Sequence, residues 1–128
     1  MNIDKKYYQE INENLTNTIQ DTNISAPNKK VGKVRDAYFL NDKVVMISTD
    51  RQSAFDRVLA AIPYKGAVLN SVSAWWFKKT EHLFPNHLIS TPDPNVSIVE
   101  KCTVFPVEFV VRGYITGTTD TSLWTVYN

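Results

Sequence analysis

Two apolar runs of strand length, residues 34–40 and 43–48, are separated by only the turn pair Asn41-Asp42. So short a loop joins only antiparallel neighbours, because a parallel pair needs a crossover of a dozen residues or more. The chain is therefore committed to an antiparallel sheet on which the rest must pack. The second run, Lys43-Val44-Val45-Met46-Ile47-Ser48, is apolar enough to predict cover on both faces. Residues 58–62, 87–90, 98–104 and 107–112 read as further strands. Pro106 lacks an N–H to donate and marks a break or an edge between the last two.

Helical periodicity occurs twice. Ile3, Tyr7, Ile11 and Leu15 recur every fourth residue, predicting an amphipathic helix over 4–20 that lies on a larger body. Over residues 67–80, Val68, Leu69, Val72, Trp75, Trp76 and Phe77 form a broad apolar face, which predicts the principal core helix. Phe84-Pro85-Asn86 breaks that pattern. Residues 21–30 and 49–56 read as loops and 91–95 as a turn. The tail from 120 opens a second helical pattern through Leu123 and Trp124. Short-turn strands with one packed helix define an α+β domain on an antiparallel sheet.

The balance of the 128 residues excludes several classes of function. Hydrophobic residues at 43% and charged residues at 21% are those of a folded chain. Fourteen Lys and Arg against 13 Asp and Glu leave a formal charge of +1, so bulk attraction to nucleic acid or an anionic membrane is not expected. No apolar run nears the roughly 20 residues of a bilayer span, and the first fifteen lack the apolar stretch of a secretory signal. Cys102 is the single cysteine, which rules out an internal disulfide and suggests a reducing, cytoplasmic setting. His82 and His87 flank a helix end as surface or capping residues and make no zinc pattern.

Three segments have chemistry to offer. Lys29-Lys30-Val31-Gly32-Lys33-Val34-Arg35 joins a glycine to alternating cations, so backbone can approach a polyphosphate while charge projects from one side. A solvated edge strand blunted by lysines is the plainer account, and spacing alone favours it. Asp50-Arg51-Gln52-Ser53-Ala54-Phe55-Asp56 follows a buried strand and can either orient a polar ligand or close a loop with local hydrogen bonds. Val110-Val111-Arg112-Gly113-Tyr114-Ile115-Thr116-Gly117-Thr118 combines a bidentate cation, hydroxyls and turn amides, a set suited to a phosphate monoester. The competing account of Arg112 is a buried structural arginine among loop carbonyls, and the residues leave both open. Trp75, Trp76 and Phe77 read as core, and Cys102 as a small buried hydrophobe.

Together the blocks Gly32-Lys33-Val34-Arg35-Asp36, residues 49–56, and Val104-Phe105-Pro106-Val107-Glu108-Phe109-Val110-Val111-Arg112 with residues 113–118 closely resemble phosphoribosylaminoimidazole-succinocarboxamide synthase, or SAICAR synthetase. They keep the family's order, and the Pro-Glu-Arg-Thr-Gly block is the specific one. The resemblance implies a purine-biosynthetic ligase that joins L-aspartate to carboxyaminoimidazole ribonucleotide with ATP and magnesium, through an acyl phosphate. It implies a nucleotide lobe like the small lobe of a protein kinase. On the same basis Lys33, Val34 and Arg35 lie over the ATP phosphates, with Lys101 a further ATP contact. Val104 to Val107 line the adenine, and Glu108 lies on the ribose or metal side. Arg112 and Thr118 hold the ribonucleotide phosphate, and Asp50, Ser53 and Asp56 border the substrate cleft.

The resemblance assigns no catalytic residue or metal ligand within this chain. Thr118 stands where the family usually has Ser, which keeps the hydroxyl. Family members also continue into a larger lobe carrying a Leu-x-Asp-x-Lys-x-Glu-Phe-Gly signature for magnesium. The expectation is thus a nucleotide-binding N-terminal lobe over 1–105, with 106–128 a hinge strand and the start of the missing C-terminal lobe. Such a chain is expected to be inactive alone and leaves homo-oligomerisation open. A non-catalytic nucleotide- or phosphate-binding module derived from the family is the alternative.

Overall fold

The Asn41-Asp42 pair turns the chain where the sequence predicts. It joins β2 (Arg35–Phe39) to β3 (Lys43–Ser48), in register from Arg35 opposite Ser48 to Phe39 opposite Val44. The computed structural model describes residues 5–55 and 57–127. Around this hairpin lie β1 (Lys29–Val31), β7 (Val96–Glu100) and β6 (Leu88–Asp93), giving one sheet of order β1-β2-β3-β7-β6 in which every neighbour is antiparallel. The three residues of β1 are all exposed and two are lysines, a blunt edge against further pairing. Pro92 sits in β6, the opposite edge, where a missing N–H is tolerated.

The pleat divides the sheet into two faces. Arg35, Ala37 and Phe39 share one with Val44, Met46, Ser48, Ser97 and Val99, whereas Asp36, Tyr38, Val45 and Ile47 share the other. Helix α2 (Lys65–Thr80) crosses the first face. Its buried residues are Gly66 and Asn70. Asn70 Nδ2 donates to the Pro94 carbonyl at 3.0 Å, and its Oδ1 accepts from Ser97 Oγ at 2.7 Å. A Cβ on Gly66 would overlap the Ser48 carbonyl and come within 2.6 Å of Asn95 Nδ2, so the helix start fits only a glycine.

Several expectations need correction. The helix read over 67–80 is present, but Val68, Leu69, Val72, Trp75 and Trp76 are exposed; its sheet side carries Gly66, Asn70 and the half-buried Phe77, and the described residues do not cover the rest of its apolar face. β3 is covered only in part, since Val44, Ile47 and Ser48 are buried while Val45 and Met46 are half-exposed. The first helix, α1, spans Lys5–Glu13 rather than 4–20, with Tyr7 and Ile11 exposed. Asn14 ends it by donating to the Glu10 carbonyl at 2.8 Å, a side chain competing with the helical backbone. Ile3 and Asp4 lie outside the described residues.

The polar stretch after β3 is a strand, β4 (Arg51–Ala54), paired with β5 (Arg57–Ala61) in a separate two-stranded ribbon. β7 covers 96–100, not 98–104, and residues 107–112 form no strand because no described strand lies beside them to complete a ladder. Cys102 is exposed rather than buried, since β7 has already ended and carried the chain off the sheet. The tail does become helical, as α3 (Leu123–Tyr127), capped by Ser122 Oγ accepting from the Thr125 N–H at 3.2 Å.

Candidate functional site

The turn between β1 and β2 is the glycine-containing segment singled out above. The Gly32 N–H donates to the Arg35 carbonyl at 2.8 Å, and a Cβ on Gly32 would lie 2.7 Å from that oxygen. The tightness of this turn therefore demands glycine. Beneath it lies Arg51, at the start of β4 and buried. Its Nε donates to the Lys33 carbonyl at 3.2 Å, one terminal nitrogen to the Gln20 carbonyl at 2.6 Å, and the other to the Gly32 carbonyl at 3.0 Å and Asp36 Oδ1 at 2.7 Å.

Asp36 has no solvent exposure. Its other oxygen accepts from Thr22 Oγ1 at 2.7 Å and pairs with Lys29 Nζ at 3.3 Å. Burial pushes the Asp36 carboxyl up, but the hydrogen bonds from Arg51, Thr22 and Lys29 outweigh it and hold it below the usual carboxylate range. Lys29 also binds Asp21 at 2.7 Å, which raises the lysine and lowers the exposed Asp21.

Asp50 is buried just before this arginine, with both oxygens on backbone: Oδ2 accepts from the Ile19 N–H at 2.8 Å and Oδ1 from the Gly66 N–H at 2.9 Å. The residue before α2, Tyr64, stands at φ 63 with no capping side chain, so Asp50 supplies the cap from outside the helix. Ser53 is half-buried on β4, and Asp56 lies outside the described residues.

At the other end of the sheet Glu100 pairs with Lys43, and the Lys101 N–H donates to the Asp42 carbonyl at 3.0 Å. A cavity of about 580 Å³ opens there, lined by Phe77, Pro85, Asn86, His87, Glu100, Cys102 and Val104. The Phe77 and His87 rings meet edge to face at 5.2 Å on its wall. Val104 thus has a cavity beside it, whereas Lys101 and Val107 line neither this one nor the next.

A second cavity, about 570 Å³, gathers Glu108, Arg112, Thr116, Thr119 and Ser122. Arg112 is exposed, which removes the account of it as a buried structural arginine. Gly117, at φ 130, lets the loop close, since a Cβ there would come within 2.5 Å of Ser122 Cβ. Thr118 is exposed and outside the cavity lining. The candidates thus fall into three groups: Lys33, Val34 and Arg35 at the glycine turn, Val104 at the far sheet end, and Glu108 with Arg112 in the loop cavity.

Sequence reasoning passed over the Arg51–Asp36–Thr22 cluster. Asp36 alternates with strand residues at an inward position, and an inward carboxylate demands a cation; that was the available signal. Among the described residues, no group of three or more His, Cys, Asp or Glu is placed to hold a metal, and the oxygens of Asp36 and Asp50 are already engaged. The described residues do not fit a magnesium site.

The five-stranded antiparallel sheet crossed by one packed helix defines an α+β fold. Residues 28–127 match the family model described as SAICAR synthetase, and the chain belongs to that family. It is 62% identical over 109 residues to phosphoribosylaminoimidazole-succinocarboxamide synthase of Legionella pneumophila (strain Lens), covering 85% of this chain and 35% of that protein. It is 58% identical over 123 residues to the chloroplastic enzyme of Arabidopsis thaliana, covering 92% and 30%. Among solved structures, SAICAR synthase from Saccharomyces cerevisiae complexed with SAICAR superposes with a TM-score of 0.74 at 31% identity, over 85% of this chain and 44% of that one. A type-2 SAICAR synthetase in complex with ADP gives 0.56 at 30% identity, over 62% and 35%. The chain spans about a third of the length of the curated relatives it matches.

Proposed function

We propose that this chain is the nucleotide-binding front part of a purine-biosynthetic ligase that uses ATP to join L-aspartate to carboxyaminoimidazole ribonucleotide through an acyl phosphate. The observation that carries this reading is the family match over 28–127, which contains all three motif blocks in order. The solved relatives, one complexed with SAICAR and one with ADP, support it. In this reading the glycine turn receives the ATP phosphates, and the segment after β7 receives the adenine. The intervening β2 is five residues long, about 17 Å at a strand's rise, and sets the distance between them.

Arg112, with Thr116 beside it on the loop cavity, receives the ribonucleotide phosphate, Thr118 contributes its hydroxyl, and Glu108 lies on the ribose or metal side of the ATP site. Residues 1–105 form the nucleotide lobe and 106–128 begin the larger one, which supplies magnesium ligands and the rest of the cleft. The setting we assign is the cytoplasm, where an exposed Cys102 stays reduced.

The test is Arg112→Ala in a chain extended to the relatives' length, with kinetic constants measured for each substrate. The ribonucleotide KM should rise at least about tenfold, the loss of a charge-assisted bidentate contact, while that of ATP changes little. Equal rises would overturn the phosphate role of Arg112. ATP- and aspartate-dependent turnover by the 128-residue chain alone would overturn the assignment of this chain as a partial site.

A further inference from the structure

Arg51 does more than neutralise Asp36. Of the four hydrogen bonds its guanidinium makes among the described residues, three go to main-chain carbonyls, and those of Gly32 and Lys33 belong to consecutive peptide units of the glycine turn. No peptide bond among the described residues is cis. In a trans unit the N–H points opposite to the C=O. Drawing both carbonyls down onto the guanidinium therefore turns the amide edge of the turn, including the Val34 N–H, away from Arg51. The planar fork can do this because it is locked from below by Asp36 Oδ1, and Asp36 is locked in turn by Thr22 and Lys29. A lysine has the charge but not the fork. From the other side, Gly32 holds the turn closed against the Arg35 carbonyl.

Resting on the proposed nucleotide reading, we infer that Arg51 is a positioning residue: it orients the peptide planes of the 32–34 turn so that the Val34 N–H is preset to face a polyphosphate. It touches no ligand itself. Its effect should be confined to the phosphate chain, leaving the nucleoside end of the site unchanged, and that distinguishes positioning from a role in folding alone.

The test uses a chain extended to the relatives' length and ¹H–¹⁵N spectra titrated with ATP, inorganic tripolyphosphate and adenosine, for wild type, Arg51→Lys and Gly32→Ala. Wild type should bind ATP and tripolyphosphate, with the Val34 amide among the most shifted signals. Arg51→Lys should weaken both by about tenfold or more while adenosine binding stays within about twofold. Should Arg51→Lys fail to fold, Gly32→Ala perturbs the same turn while leaving the side chains of the buried cluster unchanged, and should show the same selective loss. Variants that fold and bind tripolyphosphate like wild type would overturn the inference and leave the nucleotide reading intact. Equal losses for adenosine and tripolyphosphate would also overturn it. A wild type that binds neither ATP nor tripolyphosphate would overturn both.

Discussion

Asp36 has a fully buried carboxylate held by Arg51, Thr22 and Lys29. Removing one partner from such a cluster is far costlier than the net value of the pair, because the other charge stays buried and uncompensated. The same cluster fixes a pH response. The folded Asp36 lies below its ordinary value, since its hydrogen bonds outweigh the opposing effect of burial. Its unfolded value is about 3.9. A depressed carboxylate contributes stability that is complete above the unfolded value and lost as pH falls through it toward the folded one. Denaturation midpoints of the chain should therefore drop below about pH 4, and Asp36→Asn should flatten that limb although it lowers stability at neutral pH. An equally steep acid limb in the variant would remove Asp36 from the account.

At the scale of elements, the link between β3 and α2 is made by a residue in neither. Asp50 caps a helix whose own N-cap position, Tyr64, cannot, and it ties the Ile19 backbone to the same point. Asp50→Ala leaves two backbone donors without their acceptor, and should cost about 3 kcal/mol in urea denaturation. Asp50→Asn, which keeps an acceptor oxygen, should cost about 1 kcal/mol. A loss under about 0.5 kcal/mol in the alanine variant would show that water replaces the cap.

Elements that follow from local chemistry were legible in the sequence: the Asn41-Asp42 hairpin, the helix after Tyr64 and the strand at Val58. β4 was not, because Arg51, Gln52 and Ser53 have the polarity of a loop, and their strand character comes from pairing with β5. Nor was the anchoring of residues 19–22. The bonds that tie Ile19 to Asp50, Gln20 to Arg51 and Thr22 to Asp36 span 14 to 31 positions, and no local pattern in Ile19-Gln20-Asp21-Thr22 announces them. The candidate site divides the same way. Gly32 and Arg112 were legible as residue types suited to phosphate, whereas Arg51 could be seen beneath the turn only once the fold brought it there.

At the scale of the whole molecule, the buried apolar residues among those described are few, namely Tyr38, Val44, Ile47 and Val99, while large apolar side chains are exposed along α2 and throughout 104–115. Contiguous exposed apolar surface marks an interface. Trp75 and Trp76, each more than half exposed and packed edge to face on one another at 4.8 Å, report on it. In the 128-residue chain their fluorescence should be red-shifted and readily quenched by acrylamide, and both effects should diminish in a chain extended to the relatives' length. Identical quenching in the two would mean that the residues the longer chain adds do not cover the α2 face.

The position of Cys102 has a practical consequence. It is the only thiol in the sequence, exposed, and on the wall of the cavity at the far end of the sheet. A maleimide dye can therefore be attached there without engineering a cysteine or removing another. The emission of that dye would test the proposed adenine site beside Val104 in real time, independently of any signal from the glycine turn.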